Sequence, residues 1–233
     1  MTSVVTPPAT VLVVDDEPAI HRFLAPVLEI EGYLVLRADT GQQALDLASE
    51  RRPDVVVLDL GLPDIDGKDV LRQLRRWSGV PVVVLSARDR EVEKIEALDL
   101  GADDFVNKPF GIGEFLARLR AALRHARPRD SDNPVIRVGR WEIDLARHRV
   151  SRDGEDVRLA RKEFDLLAVL ARHAGVVMTH RQLLTAIWGD EHVGDTQYLR
   201  VYIGQIRQKL GDDGDVRLIV TEPGIGYRFA DTQ

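Results

Sequence analysis

Between Val11 and about Arg124, short apolar runs alternate five times with stretches of helical periodicity. No other feature of the chain restricts its possible folds so sharply. Val11–Val14, Tyr33–Arg37, Val55–Leu58, Val80–Leu85 and Phe105–Val106 read as strands, and most are apolar enough to suit strands covered on both faces. Between and after them, apolar residues recur at helical spacing. The stripes are Ile20, Phe23, Leu24, Val27 and Leu28; Ala44, Leu45 and Ala48, with Thr40 as N-cap; Val70, Leu71 and Leu74; Val92, Ile95 and Leu98, stopped by Gly101; and Ile112, Phe115, Leu116, Leu119 and Leu123. Five β-α units predict an α/β domain over residues 1–125, a five-stranded, doubly wound parallel sheet with helices on both faces.

The alternation stops at residues 126–134, where Arg, Pro, Asp, Ser and Asn replace the apolar pattern as in a linker. Residues 135–233 follow a different order. Short strands at Val135–Val138, Trp141–Leu145, His148–Ser151 and Asp156–Leu159, with Asp153-Gly154 as a hairpin turn, precede helices at Arg161–His173, His180–Trp188 and Asp195–Leu210. Two strands, Arg217–Thr221 and Gly226–Phe229, close an α+β module of common domain size.

With 44% hydrophobic and 30% charged residues, the 233-residue chain has the composition of a globular protein with real cores. It contains no apolar run of membrane-spanning length, and Met1–Thr10 lacks the profile of a signal peptide, so a cytoplasmic protein without direct membrane association is expected. The absence of cysteine excludes disulfides, thiol catalysis and thiolate metal sites. A net charge of −6 argues against attraction to nucleic acid over the whole surface, while leaving room for one local basic element.

Asp59 ends the central apolar run, and a loop rich in Gly, Pro and Asp follows it as far as Gly67. Alone, such a carboxylate is usually a turn or capping residue. The first strand, however, ends in Asp15-Asp16, the fourth in Ser86-Ala87, and the fifth leads to Lys108-Pro109. In a parallel sheet these ends share the rim at which open α/β sheets bind ligands. Three carboxylates brought together repel one another and need a cation; with oxygen donors and no Cys or His among them, Mg2+ is the natural ion. One carboxylate beside it can attack phosphorus and become an acyl phosphate. Lys108 would offset charge on the transferring group and Ser86 would hydrogen-bond one of its oxygens. Each residue also has an ordinary role open to it, Asp15 or Asp16 as a helix cap, Ser86 in a turn, Lys108 as a solvated amine. Their joint placement argues for chemistry.

The motifs Val-Asp15-Asp16-Glu17, Leu-Asp59-Leu-Gly-Leu-Pro63-Asp-Ile-Asp-Gly67, Leu-Ser86-Ala-Arg and Gly101-Ala-Asp-Asp-Phe105-Val-Asn-Lys108-Pro109-Phe110 closely resemble the flavodoxin-like receiver domain of two-component response regulators over residues 10–125. The resemblance implies that Asp59 is the phosphoacceptor, Asp16 a direct Mg2+ ligand, Asp15 a ligand through water, and Gly61 a ligand through its carbonyl. It implies that Lys108 contacts the phosphoryl group and precedes a cis bond to Pro109, and that Ser86 and Phe105 form the switch pair. Phe105 departs from the Tyr common in this family and lacks its hydroxyl.

Residues 135–233 look like the winged-helix output domain of the OmpR/PhoB subfamily, on the strength of Leu-Ala-Arg-Lys-Glu163-Phe164-Asp-Leu-Leu167, Thr179-His-Arg-Gln-Leu183-Leu, Ile187-Trp188-Gly and Pro223-Gly224-Ile-Gly226-Tyr227-Arg228-Phe229. Leu199, Ile203, Ile206 and Leu210 then form the inward stripe of a recognition helix whose Arg200, Tyr202, Gln205, Arg207 and Lys209 are left for promoter DNA. The charge of residues 128–233, 16 Lys and Arg against 17 Asp and Glu, does not by itself require nucleic acid. In the wing, Pro223 after Glu222 replaces a minor-groove Arg of some relatives, leaving Arg228. Trp188–Gly194 would be the loop that approaches RNA polymerase. The resemblance further implies a phosphorylation-dependent homodimer whose ion pairs use Lys94, Asp104, Glu114 and Arg118.

The chain is thus expected to be a transcriptional regulator that takes a phosphoryl group from a sensor histidine kinase, and not a turnover enzyme. Leu-Gly-Leu-Pro-Asp, Arg76-Trp77-Ser78, Lys-Pro-Phe-Gly111-Ile-Gly-Glu114 and Arg181-Gln-Leu-Leu resemble in particular the branch of the family that controls a potassium-uptake operon. The rival readings are an aspartyl-phosphate phosphotransferase or phosphatase, and a phospho-dependent adaptor whose second domain binds protein.

Overall fold

A computed structural model describes residues 8–86, 91–126, 135–212 and 217–230. The chain divides into two compact units, Met1–Arg127 and Pro128–Gln233. The linker expected at 126–134 lies, from residue 127 onward, outside the described residues, as does the start of the chain through Pro7.

The first unit is a parallel sheet in the order β2-β1-β3-β4-β5, made of β1 (Thr10–Val14), β2 (Leu34–Ala38), β3 (Val55–Asp59), β4 (Val82–Ser86) and β5 (Asp104–Asn107). Its helices are α1 (Pro18–Ile30), α2 (Gly41–Arg51), α3 (Gly67–Arg75), α4 (Glu91–Asp99) and α5 (Ile112–Ala126). Strand residues alternate between two covered faces. Val11, Val13, Val55, Val57, Val83, Leu85 and Val106 pack with Leu24 and Leu28 of α1 and with Phe115 and Leu119 of α5. Leu12, Val14, Val56, Leu58, Val82 and Val84 are equally buried on the other face. Each such side chain contributes on the order of 1.5–3 kcal/mol, which is why the strands read as continuous apolar runs. The register pairs Val14 with Leu58, Asp59 with Leu85 and Ser86 with Asn107, so the carboxyl ends form one rim.

Two expected stripes change. In α1 the fully covered residues are His21, Leu24 and Leu28, whereas Phe23 is 47% exposed. At ~100° per residue, Phe23 points about 130° away from the middle of that stripe. Its ring instead approaches Phe110, with centroids 6.3 Å apart. In α4, Val92 is 64% exposed and the buried residues are Ala97 and Leu98. Strand bounds also shift: β2 begins at Leu34, and β4 at Val82, after Pro81.

The second unit begins with an antiparallel sheet in the order β6-β7-β8-β9, from Val135–Val138, Trp141–Asp144, Arg149–Arg152 and Glu155–Val157. Asp153 and Gly154 have φ of 51° and 84°, the left-handed pair that a two-residue hairpin turn of this twist requires. Then come α6 (Arg161–Arg172), β10 (Val177–Thr179), α7 (His180–Trp188), a 3-10 turn (Asp190–His192), α8 (Thr196–Leu210), β11 (Ile219–Glu222) and β12 (Gly226–Phe229). The last three strands pair antiparallel in the order β10-β12-β11. Trp141, Phe164, Leu167, Leu183, Leu199, Ile203, Ile206 and Phe229 belong to one core that joins helices and sheets.

Strand β10 is not legible in the sequence. Three residues give no alternation, and Thr179 is at once the strand's last residue and the cap of α7, accepting from Gln182 N at 3.1 Å. Its pairing depends on Gly226, where a Cβ would meet the carbonyl oxygen of Met178 at 1.9 Å.

Candidate functional site

Asp15, Asp16 and Asp59 each present a carboxylate oxygen within 4.8 Å of the others. Asp15 and Asp59 are buried and Asp16 is exposed. Lys108, on the β5–α5 connection and followed by a cis peptide bond to Pro109, brings its ammonium to the same rim. Its Nζ donates to Asp15 Oδ2 at 2.7 Å and to Glu17 Oε1 at 3.1 Å, and stands 3.7 Å from Asp59 Oδ2. Asp59 Oδ1 accepts from the N–H of Leu60 at 2.9 Å.

Burial pushes the Asp59 carboxyl above its ordinary pKa; Lys108 opposes that, the charge of Asp15 adds to it, and the N–H groups of Leu60 and Gly61 oppose it. Burial alone would lower the Lys108 pKa, but the hydrogen bond to Asp15 and the charges of Asp59 and Asp15 raise it overall. Among the described residues a single ammonium thus faces several carboxylates. All donors are hard oxygens, a set suited to a small divalent cation such as Mg2+.

Local structure holds these groups in place. Gly67 opens α3 directly behind Asp59, where a Cβ would stand 2.4 Å from the carbonyl oxygen of Asp59 and 2.6 Å from Leu60 Cα. Asp66 caps the same helix by accepting from Lys68 N at 2.9 Å. Gly61 lies beside Asp59, its missing Cβ 3.4 Å from Asp59 Oδ2. His21, which the apolar pattern of α1 passes over, is buried with Nε2 2.6 Å from the carbonyl oxygen of Asp15. A carbonyl only accepts, so Nε2 carries the hydrogen and ties α1 to the acidic end of β1.

Ser86 ends β4 on this rim, while its side chain and residues 87–90 lie outside the described residues. Phe105 is buried in β5, and Lys94 Nζ lies 5.4 Å from its ring centroid. Arg118 bridges Asp104 Oδ1 at 2.8 Å and Glu114 Oε1 at 2.9 Å. Three of the four residues expected to pair across a dimer, Asp104, Glu114 and Arg118, thus already interact within one chain.

In the second unit the inward stripe of α8 is the expected one, Leu199, Ile203, Ile206 and Leu210. The residues expected to face DNA separate into two groups. Arg200 and Gln205 are exposed, on a surface they share with Gln197, Val201, Gly204 and Gln208. That surface is the reverse of the apolar stripe, a signal from which these four further positions could have been read. Arg207, by contrast, donates from Nη2 to the carbonyl oxygen of Ile219 at 2.7 Å and to Thr221 Oγ1 at 2.8 Å. Burial lowers its pKa, against the charge of Asp212. Lys209 donates to both oxygens of buried Glu163, at 2.8 and 2.6 Å. Half-buried Tyr202 meets the ring of Trp188 edge-on at 5.2 Å. Arg228 pairs with Glu222 at 2.8 Å and donates to the carbonyl oxygen of Gly175.

Residues 11–120 match the response regulator receiver domain, and residues 154–229 match the C-terminal domain of transcriptional regulatory proteins. The KDP operon transcriptional regulatory protein KdpE of Escherichia coli (strain K12) is 51% identical over 220 residues, covering 94% of this chain and 98% of that protein. The chain is a response regulator of the OmpR/PhoB family. The transcriptional regulatory protein KdpE of Mycobacterium tuberculosis is 49% identical over 221 residues, 94% of this chain and 98% of that protein. Among solved structures, the response regulator DrrB, a Thermotoga maritima OmpR/PhoB homolog, is 30% identical, covers 96% of this chain and 100% of its own, and superposes with a TM-score of 0.50. As a response regulator with a DNA-binding output domain, the protein is a transcriptional regulator, in preference to the phosphatase and adaptor readings. Among the described residues no helix is long and apolar enough to cross a membrane.

Proposed function

We propose that this response regulator takes a phosphoryl group onto Asp59 from a sensor histidine kinase and, so modified, controls a promoter of a potassium-uptake operon. The observation that carries the first half is the meeting of Asp15, Asp16 and Asp59 with Lys108 on one rim. The operon rests on identity of about half the residues to two proteins named KdpE. In this reading Asp59 attacks the phosphorus of a phosphohistidine and Lys108 turns from Asp15 toward the transferred group. Asp16, Asp59, the carbonyl of Gly61 and, through water, Asp15 would hold Mg2+. When bound, that ion supplies the positive charge that phosphoryl transfer to a cluster of carboxylates needs.

Ser86 and Phe105 then transmit the modification to the α4–β5–α5 surface. There Asp104, Glu114 and Arg118 exchange their internal pairing, and Lys94 its place over the Phe105 ring, for contacts with a second copy. Paired output domains place two α8 helices on two half-sites. Arg200 and Gln205 make the DNA contacts; Tyr202, Arg207, Lys209 and Arg228 act chiefly by holding helix and wing in position. The loop Trp188–Gly194 faces RNA polymerase. The protein works in the cytoplasm and turns over no diffusible substrate.

Asp59→Asn tests the central assignment. Incubated with a phosphorylated kinase domain or acetyl phosphate, the native chain should take up one phosphoryl group by intact mass, and the variant none. Equal labelling of the two would remove Asp59 from this role.

A further inference from the structure

Glu17 has no part in the scheme above, yet its Oε1 is 3.1 Å from Lys108 Nζ, the ammonium that also lies 2.7 Å from Asp15 Oδ2 and 3.7 Å from Asp59 Oδ2. The two carboxylates that hold the ammonium differ in kind. Asp15 is fully buried, and its Oδ1 is further fixed by the N–H of Glu17 at 2.9 Å. The Glu17 side chain is 56% exposed and borders an open depression shared with Ile20, Phe23, Lys108, Pro109 and Phe110. An ammonium has three donors. In this arrangement two are engaged by carboxylates that are not the phosphoacceptor, and Asp59 is beyond hydrogen-bond reach.

We propose that Glu17 competes with the phosphoryl group for Lys108 and thereby slows phosphorylation of Asp59. The inference rests on the roles proposed for Asp59 and Lys108. In gain of phosphate from acetyl phosphate, an Asp59 oxygen forms a bond to phosphorus while the acyl O–P bond breaks and acetate leaves with the electron pair. Lys108 stabilises charge on the phosphoryl oxygens only insofar as Glu17 releases it.

Four full-length variants test this with acetyl phosphate and Mg2+, reading phosphorylation by intact mass: Glu17→Gln, Glu17→Asp, Lys108→Ala and the Glu17→Gln, Lys108→Ala double variant. Glu17→Gln removes the competing charge, and Glu17→Asp keeps the charge but withdraws it by one methylene. Both should gain phosphate about 3- to 5-fold faster, the scale set by a partly exposed ion pair. In a Lys108→Ala background the Glu17→Gln gain should vanish. A Glu17→Gln rate equal to the native one would overturn the proposal. So would an undiminished gain in the Lys108→Ala background, which would mean that Glu17 merely repels an anionic donor. Failure of the underlying reading shows separately, as phosphate uptake by Asp59→Asn.

Discussion

The carboxylate of Asp64 accepts from the backbone N–H groups of Gly41 at 2.8 Å and Gln42 at 2.9 Å, while Thr40 accepts from Gln43 at 3.2 Å. The first three N–H groups of α2 are thus satisfied by side chains, two of them by a residue of the loop after β3. Slight desolvation acts to raise the Asp64 pKa, but hydrogen bonds from Gln42, Gly41 and Ile65 outweigh it and hold the carboxyl below its ordinary 3.8. Asp64→Ala should therefore lower stability by about 1 kcal/mol at neutral pH, read from urea midpoints. Because the folded pKa is the lower one, this contribution is complete above the unfolded value and fades as pH falls through the folded value. Native and variant midpoints should converge in acid. Thr40 was legible as a cap from its place before a helical stripe. Asp64 was not, because its partners lie 22 and 23 residues away in the chain.

At the scale of elements, α3 meets β3 so closely that only glycine fits the first helical position. A Cβ on Gly67 would collide with backbone atoms of Asp59 and Leu60, which cannot turn aside as a side-chain tip can. Gly67→Ala should cost about 1–3 kcal/mol, measured by denaturant unfolding of the full chain, and should slow acetyl-phosphate labelling of Asp59 by displacing its carbonyl. Helix α8 offers a paired test. Arg200→Ala should leave the melting temperature unchanged and reduce the salt slope of promoter binding by about 1, the mark of one lost phosphate contact. Arg207→Ala should lower the melting temperature, since its guanidinium joins α8 to β11 through Ile219 and Thr221. If Arg207→Ala melts like the native chain and changes the salt slope, its role is in the DNA contact instead. Periodicity read the buried stripe of α8 correctly because four apolar residues share one side. It misplaced Phe23 in α1, which lies about 130° from the middle of the buried stripe and finds another ring, that of Phe110, rather than the core.

At the scale of the whole molecule, a receiver and a DNA-binding unit with separate hydrophobic cores lie on one chain of net charge −6. Its charge supplies little general attraction to DNA, and the proposed pairing of two copies would supply the gain in affinity instead. Phosphorylation should tighten binding to a promoter with two half-sites by about 100-fold or more and change binding to a single half-site little, as linked sites require. Fluorescence anisotropy on both probes at one salt concentration checks this; equal gains on the two would argue against dimer-based control. The alternation of apolar runs and stripes was enough to determine the class of the first domain and the rim that gathers Asp15, Asp16, Asp59 and Lys108, and the change of order beyond residue 134 marked the second as α+β. Burial follows periodicity, and a parallel sheet leaves its strand ends nowhere else to go. Which charged groups remain for partners was decided only in three dimensions. Lys209 finds Glu163 across 46 residues and Lys108 finds Glu17 across 91, and such pairings depend on distances that no local pattern of residue types encodes.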